Sequence, residues 1–195
     1  MKFFSSRFLF ICSLSLFSYS STFSQQSFRN TNSAEAYQNA LELYQNKAYT
    51  SAQQTFANFA KTSQKNSTLQ SNASYYEAMC AVFLNQKNAE AKIEKFVAEN
   101  PTSLQKNKAF WNVGNYFFSN KNVARSLKWF QKVASETLSI EQKNELNFKM
   151  GYALLSTQNY ELAQKHFSSL RNHPKYGNDA TYYYGYIAYI LKDYD

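Results

Sequence analysis

Met150-Gly151-Tyr152-Ala153-Leu154-Leu155, then Thr157-Gln158-Asn159-Tyr160, then Ala163, Phe167 and Leu170, reads as two apolar helices joined by a polar tetrad. In the second segment a small residue is followed by large apolar ones at offsets 4 and 7, one stripe of a helix. The same stripe recurs at a spacing of 37 residues. Ala52, Ala89, Ser126 and Ala163 hold the small position, Phe56, Ile93, Phe130 and Phe167 follow at offset 4, and Phe59, Phe96, Val133 and Leu170 at offset 7. Such a face has to be buried, and it occurs four times.

A second apolar segment precedes each stripe, at Tyr37 to Tyr44, Tyr75 to Leu84, Phe110 to Phe118 and Phe148 to Leu155. Twelve residues before each small position stand Ala40, Glu77, Gly114 and Gly151. Lack of a side chain at three of these sites lets paired helices approach closely, and Glu77 is the departure. The linking tetrads are Asn46-Lys47-Ala48-Tyr49, Asn85-Gln86-Lys87-Asn88, Asn120-Lys121-Asn122-Val123 and Thr157-Gln158-Asn159-Tyr160. They suit tight helix-to-helix turns, with Asn expected to supply the left-handed residue. Four glycines and two prolines leave little turn chemistry for an all-β domain, and 44% hydrophobic residues suffice for a core, so the chain reads as all-α.

The small residue in the first helix, the aromatic at the turn, Ala then Phe in the second helix and a proline near the end together resemble the tetratricopeptide repeat, usually 34 residues long. Unit four, ending at Pro174, matches best; unit three has Gly114, Phe117, Leu127 and Phe130; unit two departs at Gln86 and Glu77. The longer spacing is consistent with extended links such as Lys65 to Gln70 and Leu138 to Glu141. The resemblance implies that residues 34–195 form an α-solenoid of stacked antiparallel helical hairpins, about four and a half repeats. A fifth unit opens at Gly177, with Gly185 placed 34 after Gly151 and Tyr194 at the turn position. Its second helix is missing, so the aromatic face of Tyr183 to Leu191 is expected to lack a packing partner, and the chain reads as the N-terminal part of a longer array.

Residues 1–24 read as a secretory signal peptide: Lys2 and Arg7 lead into the apolar run Phe8 to Phe17, about ten residues where a membrane span needs about twenty. Cys12 lies inside that run behind Phe10 and Ile11, which argues against lipid anchoring. Cleavage would leave Cys80 alone, with no internal disulfide. Residues 25–33 are a polar lead expected to be disordered, and no later segment could span a membrane. Formal charge is +8, and loss of Lys2 and Arg7 would leave about +6, dispersed without a phosphate-tracking run. With export, nucleic acid is not an expected partner.

No phosphate-binding glycine loop occurs. His166 and His173 are seven apart without a Cys or His cluster, so no metal is expected. Cys80 sits in the apolar Met79-Cys80-Ala81-Val82-Phe83 without a base, and Glu141 and Glu145 suit a helix start better than acid-base work. No cofactor and no enzymatic activity are expected. What remains is binding. In tetratricopeptide proteins the first helices line a concave groove, and the resemblance places there Tyr37, Leu41 and Tyr44, then Trp111, Asn115 and Phe118. Phe148, Tyr152 and Leu155 follow, then Tyr182, Tyr186 and Tyr189, with Asn115 and Lys108 as polar anchors for an extended or helical peptide. The competing reading is that these rings pack between repeats. The expected role is a non-catalytic protein- or peptide-binding scaffold, exported to the periplasm or outer-membrane-associated. The alternatives are a carbohydrate- or cell-wall-binding protein, or the scaffold part of a larger protein with a domain beyond residue 195.

Overall fold

The computed structural model describes residues 21–64 and 67–193, with side chains from Ser33 onward. The expected signal peptide therefore lies almost wholly outside the described residues, as does Tyr194. Among the described residues there are nine α-helices and no strand. They are α1 (Ser21–Gln45), α2 (Tyr49–Thr62), α3 (Thr68–Phe83), α4 (Ala89–Glu99), α5 (Gln105–Ser119), α6 (Val123–Phe130), α7 (Ile140–Ser156), α8 (Tyr160–Ser168) and α9 (Gly177–Leu191), with a 3-10 turn at Ser135–Thr137 before α7. Helices pack chiefly on their neighbours in the chain, and the first helices α1, α3 and α5 also touch in order. The result is an all-α solenoid of stacked helical hairpins, α1–α2, α3–α4, α5–α6 and α7–α8, with α9 stacked on α8.

The stripe read from the sequence is the core. Ala52, Ser126 and Ala163 are wholly buried, and so, or nearly so, are Phe56, Ile93, Phe130 and Phe167. Small residues let each second helix approach its partner while the ring four residues later fills the space between them.

Each hairpin turns on the same backbone device. The second residue after the first helix is left-handed at Lys47 (φ 60°), Asn85 (51°), Lys121 (59°) and Gln158 (61°), and so is Lys192 (58°), the first residue after α9. The next amide then reaches back five residues: Ala48 to Leu43 (2.9 Å), Gln86 to Ala81 (3.0 Å), Asn122 to Phe117 (2.8 Å), Asn159 to Leu154 (2.9 Å) and Asp193 to Ala188 (3.0 Å). These bonds satisfy carbonyls orphaned at the helix end. The expectation that Asn supplies the left-handed residue is thus corrected: it does so only at Asn85. Asn122 acts one step later, its side chain accepting from the Arg125 amide at the start of α6.

Two further expectations are corrected. The helix α1 already runs from Ser21, through the segment 25–33 read as a disordered lead; no Gly or Pro interrupts Ser21–Gln45 to stop it. The proposed extended links are also shorter than expected, because Thr68 to Gln70 open α3 and Ile140 and Glu141 open α7. Serine caps set those starts: Ser67 accepts from the Gln70 amide, and Ser139 forms a reciprocal capping box with Gln142.

Candidate protein-binding surface

In hairpins one, three and four the first helix forms a slot for one ring of the second. A methyl group placed on Gly114 would lie 2.5 Å from the Phe130 ring, and one on Gly151 would lie 3.0 Å from Phe167. The Gly114 floor therefore has to be bare for Phe130 to sit on it, and the Gly151 floor is tight against Phe167. The walls stand three residues before and four after that floor. In hairpin three they are Trp111 and Phe118, with ring centroids 6.2 and 6.3 Å from Phe130. In hairpin one Tyr37 and Tyr44 flank Phe56 over Ala40, at 5.8 and 6.5 Å. In hairpin four Phe148 lies 6.0 Å from Phe167, and partly buried Leu155 packs into the same cluster.

This geometry decides the fate of most residues assigned to the groove. Tyr37 is only 7% exposed, held between Phe56 and Phe59, so its placement in a solvent-facing groove is corrected to the core. Tyr44, Trp111, Phe118, Phe148 and Leu155 are half-buried slot walls. Burial pushes the Tyr44 and Tyr75 hydroxyls well above the usual range; Tyr75 spends its hydroxyl as acceptor for the Asn112 amide at 2.8 Å. Leu41 packs partly buried in the first cluster. Tyr152 lies between Phe118 (5.7 Å) and Tyr183 (5.8 Å) and so joins hairpins three and four to α9. Asn115 accepts from Lys149 Nζ at 2.6 Å, while Lys149 also contacts Glu145 and lies 5.7 Å from the rings of Trp111 and Phe118. The expected polar anchor is thus occupied internally. Of the residues assigned to the groove, only Tyr182, Tyr186 and Tyr189 on α9 and Lys108 on α5 are exposed.

Hairpin two replaces the slot with polar pairs. Glu77 stands on the floor, Ile93 takes the ring position, and the Glu77 carboxylate meets Lys92 at 2.5 Å. Gln86, polar at an otherwise apolar turn position, exchanges two amide hydrogen bonds with Gln53, 3.1 and 2.8 Å. Both departures in the sequence are therefore satisfied groups.

Between hairpins two and three, Glu90 on α4 accepts from Arg125 Nε (3.0 Å) and from the Trp129 indole N–H (2.8 Å) on α6, with Lys128 at 3.7 Å. Burial alone would raise its carboxyl, but the hydrogen bonds from Arg125 and Trp129 and the charges of Arg125 and Lys128 outweigh this and hold it below the usual range. The remaining titratable candidates are structural. Cys80 is fully buried and its thiol is pushed up to about 12 by burial. His166, lowered by burial, shares a hydrogen bond with Asn147 at 3.1 Å, and His173 Nδ1 accepts from the Lys175 and Tyr176 amides. Among the described residues no three His, Cys, Asp or Glu side chains come together as a metal site, and no helix is long and apolar enough to cross a membrane.

The surface the sequence reading missed lies at the start of α5. An open cleft of ≈ 770 Å³ is lined by Leu104, Lys106, Lys108, Trp111, Lys132 and Leu138 among others, and no carboxylate lines it. Asn107 shapes it by latching the α6–α7 link: its side chain accepts from the Ala134 amide (2.7 Å) and donates to Thr137 Oγ1 (2.6 Å). Leu104, just before α5, is 93% exposed. Its signal was an apolar residue alone in the polar link Pro101-Thr102-Ser103-Leu104. Comparison with family models finds none that matches the chain, and comparison with curated proteins finds no significant match.

Proposed function

We propose that the chain is a non-catalytic scaffold of the cell envelope, of the tetratricopeptide kind, that binds a protein or peptide at the cleft beside α5. The observation that carries this reading is the chemistry of that cleft. Lys106, Lys108 and Lys132 line it and no carboxylate does, although Lys132 is paired with Glu94 at 3.4 Å outside the lining, and Trp111 and the exposed Leu104 lie beside them. Cations beside uncovered apolar surface suit an acidic segment that also carries an apolar side chain. Sugars need convergent hydrogen bonds, and the amides of Asn107 and Asn112 are already spent on Thr137 and Tyr75. The signal-peptide-like start supports export, and the stacked hairpins support a binding role.

The test is affinity capture from an envelope extract with the chain as bait, alongside a bait carrying Leu104→Asp and Lys108→Glu. Both changes fall on exposed side chains, so helicity by circular dichroism should be unchanged. A protein retained by the first bait and lost from the second supports the reading. Equal retention by both removes the cleft from it, and selective retention of glycan on an array would favour the carbohydrate-binding alternative.

A further inference from the structure

The two rims of the cleft beside α5 carry opposite charge. On the α5 side stand Leu104, Lys106 and Lys108. On the α7 side the lining residues Thr137 and Leu138 belong to the segment Glu136-Thr137-Leu138-Ser139-Ile140-Glu141, whose carboxylates, just outside the lining, are exposed. Leu104 and Ile140, one on each rim and 93% and 78% exposed, are the two most exposed large hydrophobic side chains among the described residues. The Asn107 side chain fixes the rims relative to each other through Ala134 and Thr137. Within one copy the rims lie side by side and do not pair. Among the described residues no ion pair includes Lys106, Lys108 or Glu136, and Glu141 has only His173, at 3.8 Å.

A rim of leucine and cations beside a rim of isoleucine and carboxylates is its own complement under a two-fold rotation. We infer that this edge joins two copies of the chain in a symmetric dimer, with Leu104, Lys106 and Lys108 of one copy against Glu136, Ile140 and Glu141 of the other. The same contact repeats on the far side of the axis. The inference rests on the reading of the cleft as a protein-binding surface and names the occupant: the acidic segment with an apolar side chain that suits the cleft is Glu136–Glu141 of a second copy. Pairing covers the two aliphatic side chains, and the charges around them fix the register of the two copies.

The test is sedimentation velocity of the whole chain over a concentration series, with two charge-reversed variants whose helicity is checked by circular dichroism. One carries Lys106→Glu and Lys108→Glu, the other Glu136→Lys and Glu141→Lys. The parent should show a monomer–dimer equilibrium that weakens as salt is added. Each variant alone sets like charges against each other and should weaken the dimer at least about tenfold. Mixed in equal amounts, the two variants are complementary on both sides of the axis, so a heterodimer of near-parental affinity should return. A parent that stays monomeric at every concentration overturns the inference, as does a dimer that neither variant weakens, or a mixture in which no heterodimer forms. The two readings fail separately. A monomeric chain that still captures an envelope protein through Leu104 and Lys108 overturns the dimer and keeps the reading of the cleft, whereas a dimer that captures none keeps the inference and removes the foreign partner.

Discussion

Hairpin four and α9 start from the same pattern and end in different states. Both first helices carry a bare glycine flanked by large side chains, and both end in a left-handed turn. Over Gly151 a phenylalanine closes the slot, and Phe148 and Leu155 become half-buried walls. Over Gly185 no described residue would come within 4 Å of an added methyl group, and Tyr182 and Tyr189 are exposed. A residue's role in this fold is therefore set less by its own helix than by what lies across from it. The closed hairpins are tied to one another as well, by Glu90 between α4 and α6 and by Lys149 between α7 and α5. Among the described residues α9 makes no salt bridge.

The largest expected effect comes from emptying a filled slot. Phe167→Ala removes a wholly buried ring that touches Phe148 and Tyr183, and should cost about 3–5 kcal/mol in urea unfolding. It should also make hairpin four resemble α9, with Tyr183 gaining exposure to tyrosine-modifying reagents. A loss below about 1 kcal/mol would mean that the ring does not hold the two helices together.

Filling the floor is the complementary change. Gly114→Leu drives a side chain into Phe130 and should cost about 3 kcal/mol. Gly185→Ala, on the open floor, should instead stabilise by about 1 kcal/mol through helix propensity, because no neighbour opposes the methyl group. Destabilisation by both changes in equal measure would erase the distinction between closed and open slots.

Much of the distinction was readable from residue order. Small, large and large at offsets 0, 4 and 7 marks a buried helical stripe whatever covers it, so the helical hairpins followed from periodicity. The groove did not, because periodicity tells which residues share a face and not which neighbour meets that face. Tyr37 and Trp111 were placed in a groove when a ring from the second helix of the same hairpin meets each of them. The left-handed turns escaped for a related reason. Their geometry fixes a position in the turn, and the hydrogen bond made there by the next amide is strong enough to hold Lys or Gln in a conformation that favours Gly or Asn. The cleft beside α5 depends on how Asn107 folds the α6–α7 link back, a contact between residues 27 apart that local pattern cannot reveal.

The ties between closed hairpins supply a pH-dependent test. Glu90→Gln keeps an acceptor for Trp129 but loses the charge facing Arg125 and Lys128, and should cost about 1–3 kcal/mol at neutral pH. Because the folded carboxyl is held low, its contribution is fully present above the unfolded value, about 4.3, and is lost as pH falls through the lower folded value. The difference in urea midpoint between parent and variant should therefore be constant from pH 7 to about 5 and shrink in stronger acid. A difference that persists undiminished into strong acid would assign the effect to packing of the side chain and not to its charge.

The smallest expected effect separates the turns of the two regions. Lys121 and Lys192 hold nearly the same left-handed conformation, φ 59° and 58°, at the ends of α5 and α9. Glycine adopts it without the Cβ penalty, so Lys121→Gly should raise stability by about 0.5–1 kcal/mol, offset in part by the unfolded chain's added freedom. The local gain at Lys192→Gly is the same, but it acts on a helix end that no second helix covers among the described residues. Such an end opens by local fraying before the array unfolds, so a gain there improves amide protection in the last turn of α9 and leaves the global midpoint unchanged. Equal shifts of the midpoint for the two variants would show that the turn after α9 unfolds with the hairpins as one cooperative unit, and that its open face does not weaken it.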